Sequence, residues 1–141
     1  MPSDPDDFKE VFRRQGGKWM LYTEESNHDS HWESLRPLYH EGLILGLKAA
    51  TKYFELQLEN VDHKKVIMCY TEDSDDLEYV REVADAIRSA TNHGEIMYYK
   101  TNAASTDGLY LHEGKRGVSK YMHSIIGQLF LRDQYQRWKM V

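Results

Sequence analysis

One cysteine in 141 residues, Cys69, leaves no partner for a disulfide within the chain. It lies in the apolar run Val66-Ile67-Met68-Cys69-Tyr70, where a small buried hydrophobe is the natural reading. No apolar run approaches the ~18 residues that a membrane-spanning helix needs. The segment Met1–Asp7 is acidic where a secretory leader would be basic and then apolar, so the expectation is a cytoplasmic protein without membrane attachment, with the nucleus left open. The sequence has no Walker phosphate loop, no Gly-x-Gly-x-x-Gly and no Gly-x-Ser-x-Gly turn, which removes the common routes to nucleotide hydrolysis, dinucleotide binding and serine hydrolysis. His28 and His31 have no second pair to complete a zinc set. Asp73, Asp75 and Asp76 lack the glycine and distant glutamate of a calcium loop. No metal and no cofactor are expected.

What is present describes one α+β domain over residues 17–141, preceded by an arm or short helix over 1–16. The net charge of −5 is unevenly spread: residues 1–99 carry 11 Lys/Arg against 20 Asp/Glu, and residues 100–141 carry 7 against 3. Broad, sequence-independent nucleic-acid binding does not fit the acidic total, whereas a basic C-terminal third can steer a phosphate or RNA to a local site.

Lys18–Thr23 reads as a strand, and Glu24–Asp29 as a loop. Ser30 and Glu33 have the spacing of a capping box, so a helix is expected from Ser30 to Gly42, kinked or restarted at Pro37. Leu43–Leu58 and Val66–Thr71 read as strands. Leu77, Val80, Val83, Ala84, Ile87 and Ala90 fall at helical spacing behind an acidic first turn, and Asn92-His93-Gly94 stops that helix. Ile96–Thr101 and Leu109–His112 are further strands. Met122, Ile125, Ile126, Leu129 and Phe130 predict a C-terminal helix from Ser119, with Gly127 as its weak point and Trp138 anchoring its end. Short connections between strands favour an antiparallel sheet with helices on one face.

Three basic segments lie in or beside strands: Gly17-Lys18-Trp19, Gly46-Leu47-Lys48-Ala49-Ala50-Thr51 and Tyr98-Tyr99-Lys100-Thr101-Asn102. In an acidic chain they point to an anion pocket made by Lys18, Lys48, Lys100 and Arg116. The order of these segments, with Trp32 between the first two, Ile67-Met-Cys-Tyr-Thr-Glu-Asp before the amphipathic helix and Gly108-Leu-Tyr after the third, resembles the basophilic leukaemia-expressed protein family. The resemblance spans about residues 16–112. It implies a single curved, mainly antiparallel sheet like that of the translation-initiation cap-binding protein, with Trp19 and Trp32 in structural roles. Cap recognition in that fold resembles an aromatic sandwich with a nearby carboxylate, and no Trp-Glu pair stands in a loop here.

A fainter resemblance links the order Gly-Lys strand, Trp-bearing helix and apolar-Lys-small-Thr segment to bacterial phosphothreonine lyases. It implies Lys48 as the base that removes the α-proton, Lys18 as the companion lysine, and Met20 where those enzymes carry a histidine acid. Methionine cannot donate a proton, so β-elimination needs another acid, with His112 and His123 as the nearby histidines. The sequence therefore supports a non-catalytic module for a phosphorylated small molecule, an RNA end or a phosphopeptide. Its alternatives are a phosphothreonine lyase-like enzyme and a protein-interaction domain that uses the C-terminal helix.

Overall fold

Side chains along a strand alternate between faces, so a strand with helices on one side must split its residues into two sets. In Gly17–Thr23 the split puts Trp19 and Leu21 in one set and Lys18, Met20 and Tyr22 in the other. The computed structural model describes residues 15–49, 65–106 and 119–141. In chain order its elements are β1 (Gly17–Thr23), α1 (Glu25–His40), β2 (Gly46–Ala49), β3 (Lys65–Thr71), α2 (Leu77–Thr91), β4 (Met97–Thr101), α3 (Asn102–Thr106), β5 (Ser119–His123), β6 (Leu129–Arg132) and β7 (Trp138–Met140). The strands form one curved seven-stranded sheet in the order β2-β3-β1-β4-β5-β6-β7. Every neighbouring pair is antiparallel. The α+β architecture expected from the sequence holds.

The core fills the space between the Trp19 face of the sheet and helices α1 and α2. Trp19, Leu21, Ile67, Cys69, Met97 and Tyr99 meet Leu35 of α1 and Val80, Val83, Ala84 and Ile87 of α2. Burial pushes the Cys69 thiol up to about 12, which leaves it a protonated, inert core group. Several polar groups in this layer are paired, as desolvation favours. Trp19 donates its indole N–H to the Val80 carbonyl at 3.2 Å, and Tyr121 donates to the Ser74 carbonyl at 2.6 Å. Arg88 donates Nε–H to His123 Nδ1 at 3.0 Å, which leaves the ring proton on Nε2 to be donated to Asp85 Oδ1 at 3.0 Å. The same guanidinium donates to the carbonyls of His93, Glu95 and His123, tying α2 to β5 and to the approach to β4.

Gly17 opens β1 for a packing reason. A Cβ there would come within 2.5 Å of ring carbons of Tyr99, whose hydroxyl shares a 2.5 Å hydrogen bond with Thr71.

Helix α1 departs from expectation at its start. It begins at Glu25 behind Glu24, so Ser30 lies inside the helix and caps nothing. Its buried face is His28, His31 and Leu35, and histidines in two of these positions hide the apolar period in a stretch that reads as polar loop. Thr23 Oγ1 holds His28 Nδ1 at 2.7 Å, and His31 Nε2 meets His93 Nδ1 at 3.1 Å. The helix runs unbroken through Pro37. Helix α2 follows expectation: Asp76 accepts from the Tyr79 N–H at 3.2 Å, and Asn92 closes it in a left-handed conformation.

The C-terminal helix is not formed. Residues 119–140 make two hairpins, β5-β6 and β6-β7. Ser124 and Gln128 close the first turn around Gly127 at φ +87°, leaving Ile125 and Ile126 exposed at its tip. In the second, Asp133 Oδ1 accepts from the Tyr135 and Arg137 N–H groups, and Gln136 takes φ +66°. The apolar stripe at helical spacing is thus a product of two exposed turn isoleucines, and the protein-interaction reading loses the helix it needed.

Of the other expectations, the strand over Leu43–Leu58 is seen as Gly46–Ala49, with residues 50–64 outside the described residues. Residues 1–14 of the expected N-terminal arm over 1–16, and the strand Leu109–His112, also lie outside them. Among the described residues no helix is long and apolar enough to cross a membrane.

Gly17→Ala is expected to destabilise the fold by about 1–3 kcal/mol, read as a lower urea midpoint, because the Tyr99 ring is pinned and cannot retreat. A pH effect also follows. Burial, reinforced by His28, lowers the His31 pKa. Burial also lowers that of His123 against the opposing bond to Asp85, with Arg88 acting in the same direction as burial. The unfolded chain binds protons near pH 6.5 that the folded chain refuses, so the urea midpoint should be flat from about pH 7 to 7.5 and fall as pH drops below about 6.5. A midpoint that stays level down to pH 5 would contradict this.

Candidate functional site

Residues directly opposite one another on neighbouring strands share a face. One such row runs Gly46–Tyr70–Lys18–Lys100 across β2, β3, β1 and β4. The next row crosses all seven strands: Lys48–Met68–Met20–Tyr98–Met122–Phe130–Met140. Trp19 lies on the helix side, so by alternation both rows lie on the face opposite the Trp19 core, and at the β2 edge their Gly46, Lys48 and Tyr70 share a groove with residues of α1. Lys18, Lys48 and Lys100, singled out by sequence, therefore share one face. Arg116 and His112 lie outside the described residues.

The face is electrostatically uneven. Lys18 is half-buried and faces Lys100 directly across the β1/β4 ladder, an arrangement of like charges that costs stability. Burial, then Lys100, then Lys48 lower the Lys18 ammonium to about 8. Its Nζ stands 5.5 Å from the centre of the Tyr70 ring. Lys100 is buried and Lys48 exposed. Burial raises the Tyr70 hydroxyl, and burial together with Tyr98 raises that of Tyr22, so both stay neutral donors. The far part of the face is aromatic: Tyr98 and Trp138 lie 6.5 Å apart between ring centres, and the Arg132 guanidinium sits 4.1 Å over the Trp138 ring.

Cationic, thioether and aromatic groups thus lie in adjoining rows. Such a surface can take an anionic group at the lysines and a flat or apolar body beside it. Tyr70, Met68 and Tyr98 were not among the site residues read from the sequence, although the alternation in Lys65–Thr71 and Met97–Thr101 carried their signal, and Trp138 was placed at the end of a helix that is a strand here.

The chemistry for β-elimination is not assembled among the described residues. Met20, at the position of the lyase acid, is only 8% exposed and sits in the methionine row. His123, a sequence candidate for replacing it, is fully buried on the opposite face and bound by Arg88 and Asp85. Among the described residues no group of His, Cys, Asp and Glu is arranged to hold a metal ion.

A model of the family described as basophilic leukemia-expressed protein Bles03 matches residues 9–106, more than half of the chain. The chain belongs to the Bles03 family. No curated protein matches it. Among solved structures, the complex of C. elegans eIF4E-3 with the 4E-binding protein Mextli and cap analog is similar with a TM-score of 0.56 at 16% identity, over 69% of this chain and 56% of that chain. The present chain thus spans little more than half of the one it matches, and the likeness is one of fold. The Bles03 match covers β1, β2 and β4, which carry the three lysines, while the phosphothreonine lyase resemblance is not supported by these comparisons.

At pH 7 Lys18 is charged in a place that disfavours the charge, so Lys18→Met should raise the thermal midpoint there. The wild type should gain stability as pH rises above about 8, where the unfolded chain binds the extra proton, and the variant should lack that gain. Differential scanning calorimetry between pH 7 and 9.5 reads both.

Proposed function

We propose that this Bles03-family chain is a non-catalytic binding module for a phosphorylated ligand, held on the sheet face opposite the Trp19 core by Lys18, Lys48 and Lys100. The observation that carries the reading is the Lys18–Lys100 pair in the central ladder, with Lys48 close enough to add to the repulsion. A phosphate placed among these ammonium groups replaces repulsion by charge-assisted hydrogen bonds. Arg116 belongs to the proposal by sequence alone. The solved neighbour, which contains a cap analog and a binding protein, supports a binding role for this fold. The cytoplasm is the proposed place of action, where nucleotides, RNA ends and phosphoproteins are all at hand.

The test is thermal stabilisation of the wild type and Lys48→Ala by capped and uncapped nucleotides, short RNA and phosphothreonine peptide, with peptide mass recorded afterwards. A ligand at a hundred times its dissociation constant adds about 2.7 kcal/mol to the folded state. Stabilisation that Lys48→Ala weakens, with the peptide intact, is the expected result. Loss of phosphoric acid from the peptide would replace the module with a lyase, and no stabilisation by any phosphate would end the reading.

Anion binding should also be coupled to protonation of Lys18. A bound phosphate favours the ammonium form, so complex formation takes up a proton at pH 8 and above, and affinity should fall as pH rises from 7.5 to 9.5. Lys18→Arg, charged throughout, should remove that slope. Titration calorimetry in two buffers of different ionisation enthalpy measures the proton directly.

A further inference from the structure

Beside the cationic row, where α1 passes the edge strand β2, lies a groove of about 730 Å3. Trp32, Arg36, Tyr39 and His40 line it from α1, and Lys48 and Tyr70 line it from the sheet. The α1 residues follow helical spacing, so they form one strip along the helix. Leu45 and Leu47 complete the apolar wall. The volume falls within the range of ~300–1,000 Å3 that small-ligand sites occupy.

Two features join this groove to the lysines. Lys48 lines the groove and also acts electrostatically on Lys18. Tyr70 lines it too, with its ring 5.5 Å from Lys18 Nζ. Opposite Tyr70 stands Gly46, and a Cβ there would sit 3.5 Å from the ring. Glycine thus leaves uncovered a ring face that a larger side chain would cover.

The groove contributes three aromatic rings, and its Arg36 cation is balanced by Glu33 at 3.3 Å. Its own chemistry is therefore mainly that of a stacking site, while Lys48 adds positive charge at its sheet end. A ligand suited to both parts carries a phosphate at one end and a flat, polar ring a short spacer away. An aliphatic phosphoamino acid offers no ring, and inorganic phosphate leaves the groove empty.

We infer that the ligand is a nucleoside phosphate, with its phosphate at Lys18 and Lys48 and its base in the groove between α1 and the edge of β2. The inference rests on the anion-binding reading above and narrows it to one ligand class and one subsite. Base stacking on aromatic side chains is sequence-tolerant, so adenine and guanine should both be accepted.

The test compares adenosine and guanosine 5′-monophosphate with ribose 5-phosphate, phosphothreonine and phosphotyrosine by titration calorimetry. It uses wild type, Tyr39→Ala and Gly46→Val. Tyr39 is 47% exposed, and valine suits a strand, so both variants should keep the wild-type thermal midpoint. Both mononucleotides should bind at least about tenfold more tightly than ribose 5-phosphate. Tyr39→Ala and Gly46→Val should erase most of that advantage while leaving ribose 5-phosphate affinity unchanged. Equal binding of mononucleotide and ribose 5-phosphate would overturn the base subsite and leave the lysine site standing. Preference for phosphotyrosine or phosphothreonine would overturn the ligand class. If none of the phosphates binds, the anion site fails together with the inference built on it.

Discussion

The register of β1 between β3 and β4 is the constraint on which the rest of the arrangement depends. Trp19 and Leu21 must reach the helices, and the indole of Trp19 is fixed to the Val80 carbonyl. Once they do, the two-residue period leaves Lys18, Met20 and Tyr22 no choice of side. A slip of one residue would put an ammonium against Val80 and Ile87 and a tryptophan on the opposite face. The placement of the proposed surface thus follows from the core, although none of its lysines belongs to the core cluster.

The face that carries the lysines bears a cost in stability. Lysines paired across a ladder inside the sheet cost stability, and the chain keeps the pair between β1 and β4. Methionines fill the adjoining row, where β-branched residues would suit a strand better. Thioether side chains conform to whatever lies on them, which suits a surface that receives a ligand more than one that only completes a sheet.

Much of this was legible in the sequence, for reasons that differ by element. The helix Leu77–Thr91 announced itself because its apolar period, acidic start and Asn92 stop agree. Strands β1, β3 and β4 were legible from their apolar and aromatic content, and the three lysines from their place in or beside strands. The start of α1 was hidden because buried histidines substitute for apolar residues at positions 28 and 31. The C-terminal hairpins were mistaken for a helix because turn residues Ile125 and Ile126 completed a false period, although Gly127 was already out of place there. The partnership of Lys18 with Lys100 could not be read at all, since strand order is a property of the folded sheet. Gly17 stands beside Lys18 in the sequence, but its task is to make room for Tyr99, which only the folded sheet shows.

Strand order has a consequence for how the sheet comes together. β4 and the strands after it lie in sequence order and can be added one beside the next, whereas β1 sits between β3 and β4, whose residues are made some fifty to eighty positions later. A chain emerging from the ribosome must therefore carry Trp19 and Leu21 unpaired until β3 is made, and it cannot close the centre of the sheet until β4 is available. Such non-local closure is slow and leaves apolar surface open to wrong partners. The first strand to be made is among the last to be enclosed, and the window in which this chain is most exposed to aggregation is set by the distance between Trp19 and Tyr99.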